Sequence, residues 1–125
     1  MKNYLPAILF LILFITGFRC AKNNNEENFE KLIPVNKTEL FVKVVGEGEP
    51  MVVLHGGPGL SHDYFLPHLY PLAEEIKLVL FDQRGMGRSS VDLDSVSFSL
   101  DLLVEDIEAL RKELDLGKIH LLEVI

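Results

Sequence analysis

The 125-residue chain has one cysteine, no tryptophan and no block of basic residues. A lone Cys20 excludes any internal disulfide, so the fold must rest on packing. Lys and Arg number 12 against 19 Asp and Glu, giving a formal charge of -7, and no aromatic-basic interleaving is present, which argues against nucleic acid as a partner. His62, His68 and His120 have no Cys, Asp or Glu at metal-ligand spacing, so solvated or packed histidines are expected and neither a metal nor another cofactor is. Neither G-x-G-x-x-G nor G-x-x-x-x-G-K-[ST] occurs, which sets aside phosphate cradling.

Long apolar runs are confined to the start. Lys2 precedes an almost continuous apolar stretch from Leu5 to Phe18, interrupted by Pro6, Thr16 and Gly17. That stretch is short for a membrane span, which needs ~20 residues, and residues 1–19 read as an export signal. Cys20 stands directly after it and ahead of Lys22-Asn-Asn-Asn-Glu-Glu-Asn28. The placement resembles a bacterial lipoprotein, which implies lipid on Cys20 and a periplasmic or membrane-anchored location. Phe18 and Arg19 occupy places where such signals carry small residues, so plain secretion and an uncleaved anchor stay open. Residues 20–36 are polar and aperiodic and read as a tether, leaving 37–125 for a partial domain.

What the domain contains is an alternation of strands and helices. Residues 38–45 mix alternation with β-branched side chains and end in a Gly46-Glu-Gly48 turn. Residues 51–54 and 77–81 are short, wholly apolar strands of the kind buried in a parallel sheet. Between them, Phe65, Leu69, Leu72 and Ile76 follow a helical period that Pro67 and Pro71 shorten or break. A clearer helix follows, with Leu100, Leu103, Val104, Ile107, Leu110 and Leu114 on one face, Ser97 or Ser99 as N-cap and Gly117 as its stop. Residues 118–122 open another strand. The order predicts an α/β fold with a mostly parallel sheet and flanking helices.

Both glycine-rich loops sit at the carboxyl ends of strands, where open α/β sheets bind ligands. The first reads His55-Gly-Gly-Pro-Gly59, a backbone that can approach a substrate oxygen closely and that Pro58 stiffens. The second reads Asp82-Gln-Arg-Gly-Met-Gly-Arg-Ser-Ser90. Asp82 and Arg84 are candidates for an acid and an anion clamp, or for a pair that holds the loops in register by bonding each other or loop backbone. Ser61, Ser89 and Ser90 are nucleophiles by type, but none lies in G-x-S-x-G.

His55-Gly-Gly-Pro-Gly59, Asp82-Gln-Arg-Gly85 and Gly87-Arg-Ser89, in this order, resemble the proline iminopeptidase group of serine aminopeptidases, within the α/β-hydrolase fold. The resemblance covers roughly residues 38–122, including Asp101-Leu-Leu-Val-Glu-Asp-Ile-Glu-Ala-Leu-Arg111. It implies peptide substrates and serine acyl transfer. Gly57 N–H would be an oxyanion donor with Gly56 permitting the turn, and His55, Pro58, Gly59, Asp82, Arg84 and Gly85 would be loop scaffold. His55 would position the loop and not serve in the triad. The group's nucleophile follows directly after the strand ending at Leu122, on a G-x-S-x-G turn, where this chain reads Glu123-Val-Ile125. The expectation is therefore the N-terminal part of an α/β-hydrolase, truncated before the nucleophile elbow by a frameshift or premature stop, without the catalytic Ser and His. It would be inactive, unstable at its open sheet edge, and short of a C-terminal half. Related hydrolases of esters or epoxides are an alternative, as is a non-catalytic surface lipoprotein that binds a partner.

Overall fold

The computed structural model describes residues 28–90 and 99–124. Residues 1–19, Cys20, Ser97 and the first part of the expected tether, residues 21–27, lie outside them. The described chain forms a five-stranded mixed sheet in the order β1-β2-β4-β3-β5. The strands are β1 (Phe29–Val35), β2 (Thr38–Val45), β3 (Pro50–Leu54), β4 (Lys77–Phe81) and β5 (His120–Glu123). β4, β3 and β5 run parallel, whereas β1 and β2 form an antiparallel hairpin whose second strand joins β4.

The hairpin corrects the expected tether, which cannot extend to Asn36. Phe29–Val35 is a strand in register with β2 from Phe29 opposite Val44 to Val35 opposite Thr38. Ile33 and Val35 point into the core, and Pro34 is tolerated because β1 is an edge strand. The two residues between the strands, Asn36 and Lys37, both have positive φ (41° and 63°), the conformation that matches the twist of a two-residue hairpin turn.

Two layers of helix cover the sheet. One face carries a segment broken into a 3-10 turn (His62–Phe65), α1 (Leu66–Leu69) and a second 3-10 turn (Tyr70–Glu74), the interruption expected from its prolines. Phe65, Leu66, Leu69 and Ala73 pack there on Val53, Leu78 and Leu80. The other face carries α2 (Leu100–Glu113), whose Leu110, with Ile107 and Leu114, packs on Val42, Val52, Val79 and Phe81. Successive residues Val52 and Val53 thus serve opposite cores, which is why a short strand here is apolar throughout.

Ser99 caps α2, its hydroxyl accepting from Leu102 N–H at 3.1 Å. The end differs from expectation: Asp115, not Gly117, takes the first left-handed position (φ 49°). Asp115 N–H then bonds Lys112 O and Leu116 N–H bonds Arg111 O, the paired closure of a Schellman motif. The helix is also rotated from its expected face. Asp106 is buried and Val104 is 58% exposed, because Asp106 has a buried cationic partner on the sheet side. At the far side of the sheet, β5 pairs with β3 alone among the described residues, and Leu121 is exposed on it.

Candidate active site

The loops following β3 and β4 leave adjacent parallel strands at the same end of the sheet, so residues 55–61 and 82–90 face each other. His55 joins them. It is buried, and its Nε2 accepts from Gln83 N–H at 3.0 Å. A backbone N–H can only donate, so that nitrogen is unprotonated and the ring proton resides on Nδ1, which donates to Gly56 O at 3.1 Å. The Gln83 side-chain amide returns a bond to His55 O. His55 is therefore a loop fastener, consistent with the positioning role that the resemblance implies.

The bond to Gly56 O orients the following peptide, because the N–H of Gly57 lies opposite that carbonyl in the same plane. Gly57 has φ 49°, and an added Cβ would meet only Leu60 Cδ1 at 3.8 Å, so conformation and not space calls for glycine. Among the described residues Gly57 N–H has no hydrogen-bond partner, whereas Gly56 N–H donates to the Tyr64 hydroxyl at 3.2 Å. Residues 57–60 are exposed. The result is a fixed backbone donor on an accessible loop, suited to an oxygen carrying negative charge.

The second loop closes inward. Asp82 is fully buried; its Oδ1 accepts from His62 N–H and His62 Nδ1, each at 2.8 Å, and its Oδ2 accepts from Arg88 N–H at 2.8 Å. Burial pushes its carboxyl up, but the His62 side chain and the two backbone donors outweigh that and hold it below the usual carboxylate range. A Cβ on Gly87 would lie 2.3 Å from Asp82 Oδ2, so the loop can wrap the carboxylate only with glycine there. His62 stacks on Phe41 with ring centroids 5.2 Å apart, and its buried Nε2 is without a hydrogen bond, 3.4 Å from Asp63 Oδ1.

Arg84 does not pair with Asp82. It makes a two-pronged bond to Asp106, Nε to Oδ2 at 3.0 Å and a terminal nitrogen to Oδ1 at 2.8 Å, and donates to Asn36 O at 3.1 Å. Asn36 Nδ2 donates to the same carboxylate at 2.9 Å, so the hairpin turn, the second loop and α2 meet at one buried ion pair. Of the two roles open to Asp82 and Arg84, their geometry supports holding structure in place: Asp82 bonds loop backbone, one of the alternatives expected, and Arg84 takes Asp106 in place of Asp82. Gly85 N–H bonds Ser90 O at 3.2 Å. Asp106, Asn36, Gln83 and Tyr64 were not foreseen as contributors; a two-residue turn after an apolar run was the one signal available, at Asn36.

The serines are occupied. Ser89 Oγ donates to Asp82 O and accepts from Phe41 N–H; Ser90 Oγ accepts from Glu39 N–H; Ser61 caps the 3-10 turn through Asp63 N–H. His68 is exposed, and exposed His120 pairs with Glu49 at 3.0 Å. Among the described residues no three His, Cys, Asp or Glu side chains gather as metal ligands. An open hollow of about 510 Å³ lies against the hairpin turn and Ser90, apart from the His55 loop.

Residues 49–122 match the family described as alpha/beta hydrolase fold. The chain belongs to that family. It is similar to proline iminopeptidases: 36% identical over 90 residues to that of Saccharolobus solfataricus, covering 72% of this chain and 29% of the relative, and 42% identical over 77 residues to that of Heyndrickxia coagulans, covering 62% and 26%. Among solved structures, the proline iminopeptidase-related protein of Thermus thermophilus superposes with a TM-score of 0.72 at 37% identity, covering 78% of this chain and 36% of that one. An epoxide hydrolase from Vigna radiata does so at 0.68 and 31%, covering 78% and 32%. The chain spans about a third of the length of the relatives it matches.

Proposed function

We infer that the chain supplies the oxyanion-binding part of a proline iminopeptidase-like aminopeptidase, which releases N-terminal residues, proline above all, from peptides by serine acyl transfer. The carrying observation is the Gly56–Gly57 peptide: its carbonyl is held by His55 Nδ1–H, and its N–H is unpartnered among the described residues. When a serine oxygen adds to the scissile carbonyl, the π electrons move to the carbonyl oxygen. Gly57 N–H would donate to that oxyanion, a contribution of typically ~3 kcal/mol when the donor is aimed in advance. Collapse expels the peptide amine, which leaves with the proton that a general base outside these residues took from the serine hydroxyl, and water then hydrolyses the acyl ester to the acid and restores the hydroxyl. His55 keeps its proton on Nδ1 throughout, so it orients the donor and moves no proton.

The test is hydrolysis of a prolyl arylamide. The 125 residues contain no G-x-S-x-G, so the purified chain is expected to show no turnover. Turnover at the rate of a serine hydrolase would defeat the reading. Likeness to the Vigna radiata enzyme favours a second reading, epoxide hydrolysis, in which an aspartate replaces the serine nucleophile. Turnover of styrene oxide in place of the arylamide by a polypeptide carrying these residues together with their nucleophile would select it. The apolar run before Cys20 supports export and a lipid anchor, and loss of metabolic lipid labelling in Cys20→Ser tests that assignment.

A further inference from the structure

The Tyr64 hydroxyl has a donor left to give. It accepts from Gly56 N–H at 3.2 Å, and its own proton has no acceptor among the described residues. The ring is 41% exposed yet fixed, because it leans on Phe65, with centroids 4.0 Å apart, and Phe65 is buried in the core beneath α1. The hydroxyl thus stands beside the backbone nitrogen one peptide before Gly57, on the exposed loop, with a phenolic proton free to turn toward a ligand.

We propose that Tyr64 is a second donor of this site: an acyl oxygen bound at Gly57 N–H also receives the Tyr64 hydroxyl proton. This rests on the oxyanion reading of Gly57. Two features suit the hydroxyl to the task. Accepting from Gly56 N–H polarises the O–H bond and strengthens it as a donor. The same bond, with His55 on Gly56 O, pins the Gly56 residue at both its N–H and its carbonyl, so the two donors keep a fixed separation. The ligand class is a carboxylate or a tetrahedral oxyanion, each an oxygen that accepts two hydrogen bonds.

The experiment uses the isotope-labelled full chain and L-proline, whose carboxylate is the acid product expected of the proposed reaction. Saturating proline should move the Gly57 amide proton downfield in the unaltered chain. Tyr64→Phe should weaken the apparent affinity about fivefold, the loss of one neutral hydrogen bond. Tyr64→Trp keeps a donor but cannot accept from Gly56, so recovery of affinity in it supports direct donation to the ligand. Affinity equal to the unaltered chain in Tyr64→Phe, with Gly57 still responding, overturns the role of Tyr64 and leaves the oxyanion reading intact. Loss in Tyr64→Trp equal to that in Tyr64→Phe, with both variants folded by circular dichroism, reduces the hydroxyl to a support for Gly56 and overturns direct donation. No Gly57 response in any chain overturns both.

Discussion

The two glycine-rich loops look alike on paper and are opposites in space. In residues 82–90 the polar groups of Asp82, Arg84, Ser89 and Ser90 turn inward, all bonding backbone or buried partners, while Arg88 reaches surface carboxylates. Residues 57–60 are exposed, and Gly57 N–H is left unpartnered among the described residues although its peptide is firmly held. A glycine in the first loop lets a backbone donor stand open, whereas a glycine in the second lets the chain wrap a carboxylate. The lesson is that equal glycine content can leave a donor open in one loop and saturate every polar side chain in a frame beside it.

The comparison is tested most severely at Arg84. Arg84→Ala would leave the Asp106 carboxylate buried and unpaired, and chemical denaturation should show a loss of about 3–5 kcal/mol. A loss below about 1 kcal/mol, the range of an exposed pair, would mean the second loop is not the frame. Asp82→Asn comes next. Its amide cannot accept from Arg88 N–H and from both His62 donors at once, so about 3 kcal/mol should be lost. The same carboxylate sets an acid limit. Its folded pKa lies below the unfolded value, so its contribution is complete above the ordinary carboxylate range near pH 4 and drains away as pH falls through the lower folded value. Stability measured from about pH 6 down to about pH 2 should fall less steeply in Asp82→Asn than in the unaltered chain. The smallest effect belongs to the open loop: Gly57→Ala forces a left-handed alanine into free space, and about 1 kcal/mol is expected. A larger cost there would show that the first loop carries structure too.

Much of this was legible in the residues. β3 and β4 announce themselves as apolar runs, β5 by its place after the expected Gly117 stop, α2 by its period and Ser99, and the broken helix by Pro67 and Pro71. β1 was hidden because only its second half alternates: Glu30, Lys31 and Leu32 are all exposed, and Pro34 looks like a breaker unless the strand is known to lie at an edge. The rotation of α2 was hidden for another reason. A helical wheel assigns Asp106 to water, and its partner Arg84 is 22 residues away on a loop, so no local pattern reports the pairing. The same limit applies between the loops, since equal glycine content cannot reveal which N–H groups find acceptors.

The Asn36, Arg84 and Asp106 junction also has a history in time. Its bonds join residues separated by 70, 48 and 22 positions, so none can form before distant parts of the chain have met. The β1–β2 hairpin can close locally, on the order of microseconds, but the junction must wait for β4 and α2 to dock. The ion pair is then a late lock on an assembly already gathered by its apolar faces. Substitutions there should hasten unfolding and leave the rate of folding nearly unchanged.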